Sequence, residues 1–128
     1  MDKYYFLCVT RDTVIKIECS KIVYFESDGN YTTVMTVDNY KSQVNMNLGN
    51  VMLELQRQLG TKAHYFIRIG KRHIINKAYF CSLNVLRQQM VLSDSDRFFM
   101  TLSMSRDALK KFKSDYFDNK SQGFSYAM

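Results

Sequence analysis

Short apolar and β-branched runs, separated by polar turn sequences, dominate the pattern of hydrophobic positions along the chain. Such runs are typical of β-strands, and the Asn, Asp, Gly and Ser residues between them are typical of turns. The pattern predicts about ten short strands, over residues 3–10, 13–19, 22–26, 31–37, 40–46, 66–69, 74–76, 78–86, 89–92 and 97–102.

One segment follows a helical pattern instead. Apolar side chains recur at three- and four-residue spacing over residues 48–59, which predicts an amphipathic helix. Asn47 suits the N-cap of this helix, and Gly60 suits a left-handed residue at its end. Ser105 can cap a second, shorter helix over residues 106–116.

The predicted fold class is therefore mainly β, with small antiparallel sheets and one or two short helices. The 128 residues suit one domain, which we place at residues 1–117, followed by a weakly ordered C-terminal tail at residues 118–128. The chain contains nine Tyr and nine Phe but no Trp and no Pro. Aromatic residues are enriched in strands, so this composition agrees with the β prediction.

The net charge of +6 is concentrated in the middle of the chain. Residues 55–93 carry seven Lys and Arg side chains and no acidic one, whereas residues 1–54 have a net charge of −2. A one-sided positive field attracts polyanions. The alternative is a solvated basic face that only aids solubility.

Other classes of function have little support. Cys8, Cys19 and Cys81 form no CxxC pair, so we expect reduced thiols and no zinc site. No signal peptide and no apolar stretch of about 20 residues is present, so we expect a cytoplasmic protein that does not enter membranes.

No common catalytic motif accompanies the two histidines, and we expect neither an enzyme nor a small-molecule cofactor. Cys81 with His73 suggests a nucleophile and its base, but a buried strand cysteine near an exposed turn histidine is the better interpretation.

Three connections carry side chains that suit contact with nucleic acid. Gly70 marks a turn that presents Arg68, Lys71, Arg72 and His73, and Lys and Arg donate well to guanine. The other two connections contain Asn30 with Tyr31 and, at the start of the second helix, Arg106, where free backbone N–H groups also suit a phosphate. Arg68 has an alternative role as a strand residue paired with Glu26 or Glu54.

These connections coincide with a family resemblance. Residues 22–32 (IVYFESDGNYT) resemble the I-x-Y-x-E-x-x-G-N-Y pattern of LytTR-type DNA-binding domains, and residues 66–76 (FIRIGKRHIIN) resemble that family's F-x-R-x-H-R-S-x-I-V-N. Residues 102–106 (LSMSR) resemble its C-terminal L-x-x-S-R. The three motifs occur in the family's order, and the resemblance spans roughly residues 5–116.

The resemblance implies an elongated body of small sheets. It also implies a bacterial transcription regulator that inserts loops into successive major grooves of double-stranded DNA. Such domains commonly bind paired direct repeats as two protomers, so a weak homodimer is possible. DNA contacts carry over to Asn30 or Tyr31, to Lys71 and Arg72, and to Arg106. Asn76 is expected to bond to backbone rather than to a base. We expect no attached receiver domain, although many relatives carry one.

Two departures lie in the second motif. Gly70 replaces the usual His, and Arg72 replaces Ser or Thr, so the target sequence cannot be taken from relatives. These departures, with the aromatic side chains of Phe124 and Tyr126 in the tail, leave open a module that binds a regulatory protein instead of DNA. A single-stranded RNA module is a third option, but it requires exposed aromatic residues on one sheet face.

Overall fold

The computed structural model describes residues 3–118 and confirms a mainly β fold. The strands are β1 (Tyr5–Val9), β2 (Val14–Glu18), β3 (Ile22–Asp28), β4 (Tyr31–Thr36), β5 (Lys41–Val44), β6 (Phe66–Ile69), β7 (His73–Asn76), β8 (Phe80–Asn84), β9 (Gln89–Ser93) and β10 (Phe99–Ser103). The helices are α1 (Leu48–Leu59) and α2 (Arg106–Lys113), and a π-helical turn, Ser114–Asp118, follows α2. Short 3-10 turns precede β3, β6 and β8.

All sheets in the described residues are antiparallel. β1 pairs with β2, the strands β5-β4-β3-β7-β6 form a five-stranded sheet, and β10-β9-β8 form a three-stranded sheet. The chain divides into two compact units, one ending at Phe80 and the other beginning at Cys81. The predicted tail lies outside the described residues, apart from Asp118, which ends the last helical turn.

Helix α1 has the predicted bounds and the predicted caps. Asn47 Oδ1 accepts a hydrogen bond from the backbone N–H of Asn50 at 2.9 Å. Gly60 ends the helix with a φ of 57°, a conformation that L side chains rarely adopt. Leu48, Val51 and Leu55 are buried on one face of the helix.

The core of the first unit is centred on Phe25 in β3. Its ring makes edge contacts with Phe6 of β1 at 5.5 Å and with Phe66 of β6 at 5.8 Å between ring centroids. The apolar face of α1 and Val34 of β4 complete the same cluster. Burial of such side chains contributes about 1.5–3 kcal/mol each, and this core fixes β3 in the centre of the sheet.

The prediction for Cys81 is wrong. Cys8 and Cys19 are buried, but Cys81 is exposed on β8. The strand pattern of β8 places this side chain on a solvated surface, since the strand has no fully buried position.

Candidate nucleic-acid interface

Strand β3 brings two hairpin turns to the same end of the five-stranded sheet. On one side, β3 pairs with β4, and Asp28 opposite Tyr31 is the last pair before the turn at residues 29–30, the β3–β4 turn. On its other side, β3 pairs with β7, and Glu26 lies opposite His73. The N–H of Ser27 then donates to the carbonyl of Arg72 at 2.8 Å, so the turn at residues 70–72, the β6–β7 turn, lies beside the end of β3.

The β3–β4 turn has two residues. Gly29 takes a φ of 63°, whereas Asn30 keeps a negative φ. A positive φ at the first central position is typical of a type II′ turn, whose twist matches that of the flanking strands. Asn30 and Tyr31 are both exposed, so their amide and phenol groups are accessible from solvent.

The β6–β7 turn has three residues because Ile69 pairs directly with His73. Gly70 has a φ of 65°, which explains why glycine suits this position. Lys71 and Arg72 are exposed at the tip, as the sequence predicts. Two cationic side chains therefore project from the sheet end that also carries Asn30 and Tyr31.

Arg68 has a different partner from those predicted. Its Nε donates to the carbonyl of Gly70 at 3.2 Å, and its Nη2 donates to the carbonyl of Lys71 at 3.3 Å. The predicted pairing with Glu26 or Glu54 is wrong, because the guanidinium is hydrogen-bonded to the turn of its own hairpin. Arg68 thus satisfies two turn carbonyls and holds the β6–β7 turn in place.

His73 is not at the exposed tip, and that part of the prediction is wrong. The three-residue turn makes His73 the first residue of β7, where its side chain is only 2% exposed. Its Nε2 lies 2.9 Å from a carboxylate oxygen of Glu26, and its ring meets Tyr24 edge-on. Burial lowers the pKa of His73, and its hydrogen bond to the carboxylate of Glu26 only partly opposes this.

Glu26 links the buried histidine to the turn. The same carboxylate oxygen that contacts His73 lies 3.9 Å from Nη2 of Arg72. Arg72 remains largely exposed, so this ion pair stabilises the fold by at most about 1 kcal/mol and leaves the cation free to move. The pair nevertheless directs Arg72 back towards β3.

Arg106 belongs to the second unit. Ser105 caps α2 by accepting a hydrogen bond from the N–H of Ala108 at 3.1 Å, as predicted. The Arg106 side chain is exposed, and its Nη2 donates to the carbonyl of Leu86 at 3.4 Å. Asp107 lies in the same first helical turn, so the local charge is mixed.

The sequence interpretation overlooked the turn that Arg106 contacts. It placed Leu86 in a strand, but β8 ends at Asn84, and residues 85–88 form the β8–β9 turn. Asn84 is the residue that could have predicted this turn from the sequence. Its Oδ1 accepts a hydrogen bond from the N–H of Arg87, and asparagine commonly begins turns in this way. Leu86 and Arg87 are exposed there.

Neither a metal site nor a membrane span emerges from residues 3–118. Within that range, no three or more His, Cys, Asp or Glu side chains gather where they could hold a metal ion. No helix in the same range is long and apolar enough to cross a membrane.

Asn76 is buried, and its amide donates to the carbonyl of Ile22 at 2.9 Å and accepts from the N–H of Ala78 at 3.0 Å. The expected backbone role of Asn76 is thereby confirmed.

Comparison with known proteins identifies the family of the chain. The family model of the LytTr DNA-binding domain matches residues 12–116. Two heme-containing CO-sensing transcriptional regulators of Paraburkholderia xenovorans, RcoM 2 and RcoM 1, are 31% and 30% identical over 104 residues. Each match covers 79% of this chain and 36% of the relative, so the chain spans about a third of the length of these regulators.

A solved structure has the same fold. The LytTr DNA-binding domain of a putative methyl-accepting/DNA response regulator from Bacillus cereus superposes with a TM-score of 0.57 at 20% identity, covering 96% of this chain and all of that domain. LytTr domains are DNA-binding domains, and the curated relatives are transcriptional regulators. From the match over residues 12–116, this chain belongs to the LytTr DNA-binding domain family.

Proposed function

We propose that the chain binds double-stranded DNA with sequence specificity and acts in bacterial transcription regulation, without catalysing a reaction. The observation that carries this proposal is the shared end of the five-stranded sheet. Two turns meet there, and Asn30, Tyr31, Lys71 and Arg72 are exposed on them. Such narrow projecting turns suit insertion into a major groove.

The side chains at this sheet end have complementary chemistry. Lys71 and Arg72 can donate to guanine O6 and N7 or to phosphate, and the amide of Asn30 can pair with the donor and acceptor edge of adenine. Tyr31 offers a hydroxyl group beside the same turn. Arg106 supplies a further cation from the second unit, in the first turn of α2.

In our proposal, Arg68 and His73 position the β6–β7 turn and do not themselves contact DNA. Arg68 holds the carbonyls of the β6–β7 turn, so we assign it to turn positioning. His73 is buried under the turn and orients Glu26, which in turn faces Arg72. These two residues act through the shape of the turn rather than by reaching a base.

We further propose that two protomers occupy paired direct repeats in the DNA. The family resemblance supports this proposal, since such domains commonly bind paired direct repeats, and it requires at most a weak homodimer in solution. Each protomer inserts its turns into successive major grooves.

Selection of bound duplexes from a random pool tests the proposal. The full chain is immobilised, and retained duplexes are sequenced over several rounds at low salt. We expect one enriched motif, present twice in the same orientation. A pool that stays random after repeated rounds would refute specific DNA binding by this chain.

A second candidate function is a protein contact, and one observation favours it. Tyr5, Leu7, Val9 and Val14 are exposed on the β1–β2 hairpin, and Leu53 is exposed on α1. The side-chain amide of Gln58 joins the hairpin to the helix through both the N–H and the carbonyl of Leu7. This apolar surface suits a regulatory partner, and mutation of Leu7 would then impair regulation while leaving DNA affinity unchanged.

A further inference from the structure

The β8–β9 turn and the start of α2 lie side by side within the second unit. Gln89 at the start of β9 pairs with Ser103 at the end of β10, so both connections leave the three-stranded sheet at one end. The N–H of Met104 donates to the carbonyl of Gln88 at 3.0 Å. Arg106 then reaches the carbonyl of Leu86 at 3.4 Å. The turn and Arg106 therefore form one continuous surface.

The conformation of the β8–β9 turn is fixed by its own hydrogen bonds. Asn84 Oδ1 accepts from the N–H of Arg87 at 2.9 Å, and the N–H of Gln88 donates to the carbonyl of Val85 at 3.2 Å. Gln88 has a φ of 56°, which is uncommon for a residue with a side chain. A turn held in this way presents Leu86 and Arg87 in a defined direction.

Leu86 is the most exposed large apolar side chain among residues 3–118, at 79%. Val85, its neighbour in the turn, is half-buried. Phe99, which is 67% exposed, lies at the opposite end of β10 from Ser103. The nearer exposed side chains along the turn, Arg87, Gln88 and Gln89, are cationic or amide groups. A single largely exposed leucine beside such donors does not resemble the apolar centre of a protein interface.

The floor of a major groove has chemical groups that complement an exposed leucine beside hydrogen-bond donors. Thymine offers an apolar methyl group beside the hydrogen-bond acceptors of its own and neighbouring bases, and the phosphates on either side are anionic. We propose that Leu86 contacts the methyl group of a thymine, next to the base or phosphate held by Arg106. This inference rests on the proposed DNA-binding function and adds the β8–β9 turn to the elements that determine its specificity.

Replacement of thymine by deoxyuridine tests the contact, because it removes only the methyl group. Each thymine in the selected duplex is replaced in turn, and the affinity of the full chain is measured. We expect one replacement to weaken binding about fourfold, the equivalent of burying one methyl group. Leu86→Ala should bind the unmodified duplex about as weakly and should lose its sensitivity to that replacement.

Leu53→Ala is the matched control, since Leu53 is an exposed leucine of α1 in the first unit. It should keep the sensitivity to deoxyuridine, and thermal unfolding of both variants verifies their fold. If Leu86→Ala keeps the same sensitivity, or no thymine replacement affects the unaltered chain, the inference is wrong while DNA binding stands. If no duplex is selected at all, the proposed function itself fails.

Discussion

Nε2 of His73 lies 2.9 Å from a carboxylate oxygen of Glu26, on neighbouring strands at the end of the sheet that carries the two turns. The two residues are 47 positions apart along the chain. The pair joins the packing of β3 against β7 to the position of the β6–β7 turn. A buried imidazole beneath a cationic turn also couples the fold to pH.

Acidification should destabilise the protein through His73. Burial lowers the pKa of His73 below its ordinary value of 6.5, so the unfolded chain takes up a proton before the folded chain does. The folded state therefore loses stability as pH falls through 6.5 towards the folded pKa. Urea unfolding at pH 7.5 and pH 5.5 measures the change.

His73→Gln is the comparison for this experiment, because glutamine keeps an amide donor but does not titrate. Its free energy of unfolding should fall less between the two pH values than that of the unaltered chain. The other groups facing His73 are Glu26, Arg72 and the ring of Tyr24, and all three remain in the variant. Equal losses in the two proteins would remove His73 as the cause.

Asn76→Ala should destabilise the fold by about 1–3 kcal/mol. The substitution leaves the carbonyl of Ile22 and the N–H of Ala78 without the amide that now satisfies them. Urea unfolding gives the free energy. Asn50→Ala, on the exposed surface of α1, is the control and should change stability by less than about 0.5 kcal/mol. Similar values for both variants would contradict the role assigned to Asn76.

Gly70→Ala should cost about 1 kcal/mol, because a residue with a Cβ is strained at a φ of 65°. Gly49→Ala is the opposite case. Gly49 lies in α1, and a Cβ there would meet Asn47 and Arg68 at 3.5 and 3.6 Å, ordinary contact distances. That variant should be neutral or more stable. If the Gly70→Ala protein were as stable as the unaltered chain, the turn would have another conformation.

Arg68→Ala should loosen the β6–β7 turn. Trypsin cleaves after Lys71 and Arg72, so the rate of cutting at these two bonds reports how often the turn opens. We expect faster cutting in the variant, because two turn carbonyls lose their donor. Arg57→Ala, which breaks an exposed ion pair with Glu54 on α1, should leave that rate unchanged. Unchanged cutting in Arg68→Ala would show that Arg68 does not hold the turn.

Local sequence patterns account for most of the secondary structure. The spacing of Leu48, Val51 and Leu55 and the caps at Asn47 and Gly60 gave the correct bounds of α1, because each signal acts within a few residues. The strand positions followed from β-branched runs between polar turns. Secondary structure that depends on the conformational preferences of neighbouring residues was therefore predictable from the sequence.

Long-range pairing was not predictable in the same way. The burial of His73 depends on Ile69 pairing with it across a three-residue turn and on β3 lying alongside β7. With the same register, Arg68 donates a hydrogen bond to the carbonyl of Gly70 in its own turn and does not pair with Glu26. Leu86 was assigned to a strand because it is apolar, although the hydrogen bonds of Asn84 and Gln88 end β8 before it.

The affinity of Lys71→Ala for the selected duplex tests the central claim most directly. Lys41→Ala is the matched control, because Lys41 starts β5 at the end of the sheet away from the β3–β4 turn and carries the same charge. If about six phosphates are neutralised, the log of the unaltered chain's binding constant should fall with log salt at a slope of roughly −5. Lys71→Ala should weaken binding to the selected duplex by about 1–3 kcal/mol and binding to random duplex by much less, and Lys41→Ala should do neither. Equal losses on both duplexes would make Lys71 a phosphate contact, and no loss relative to Lys41→Ala would contradict DNA recognition by this end of the sheet.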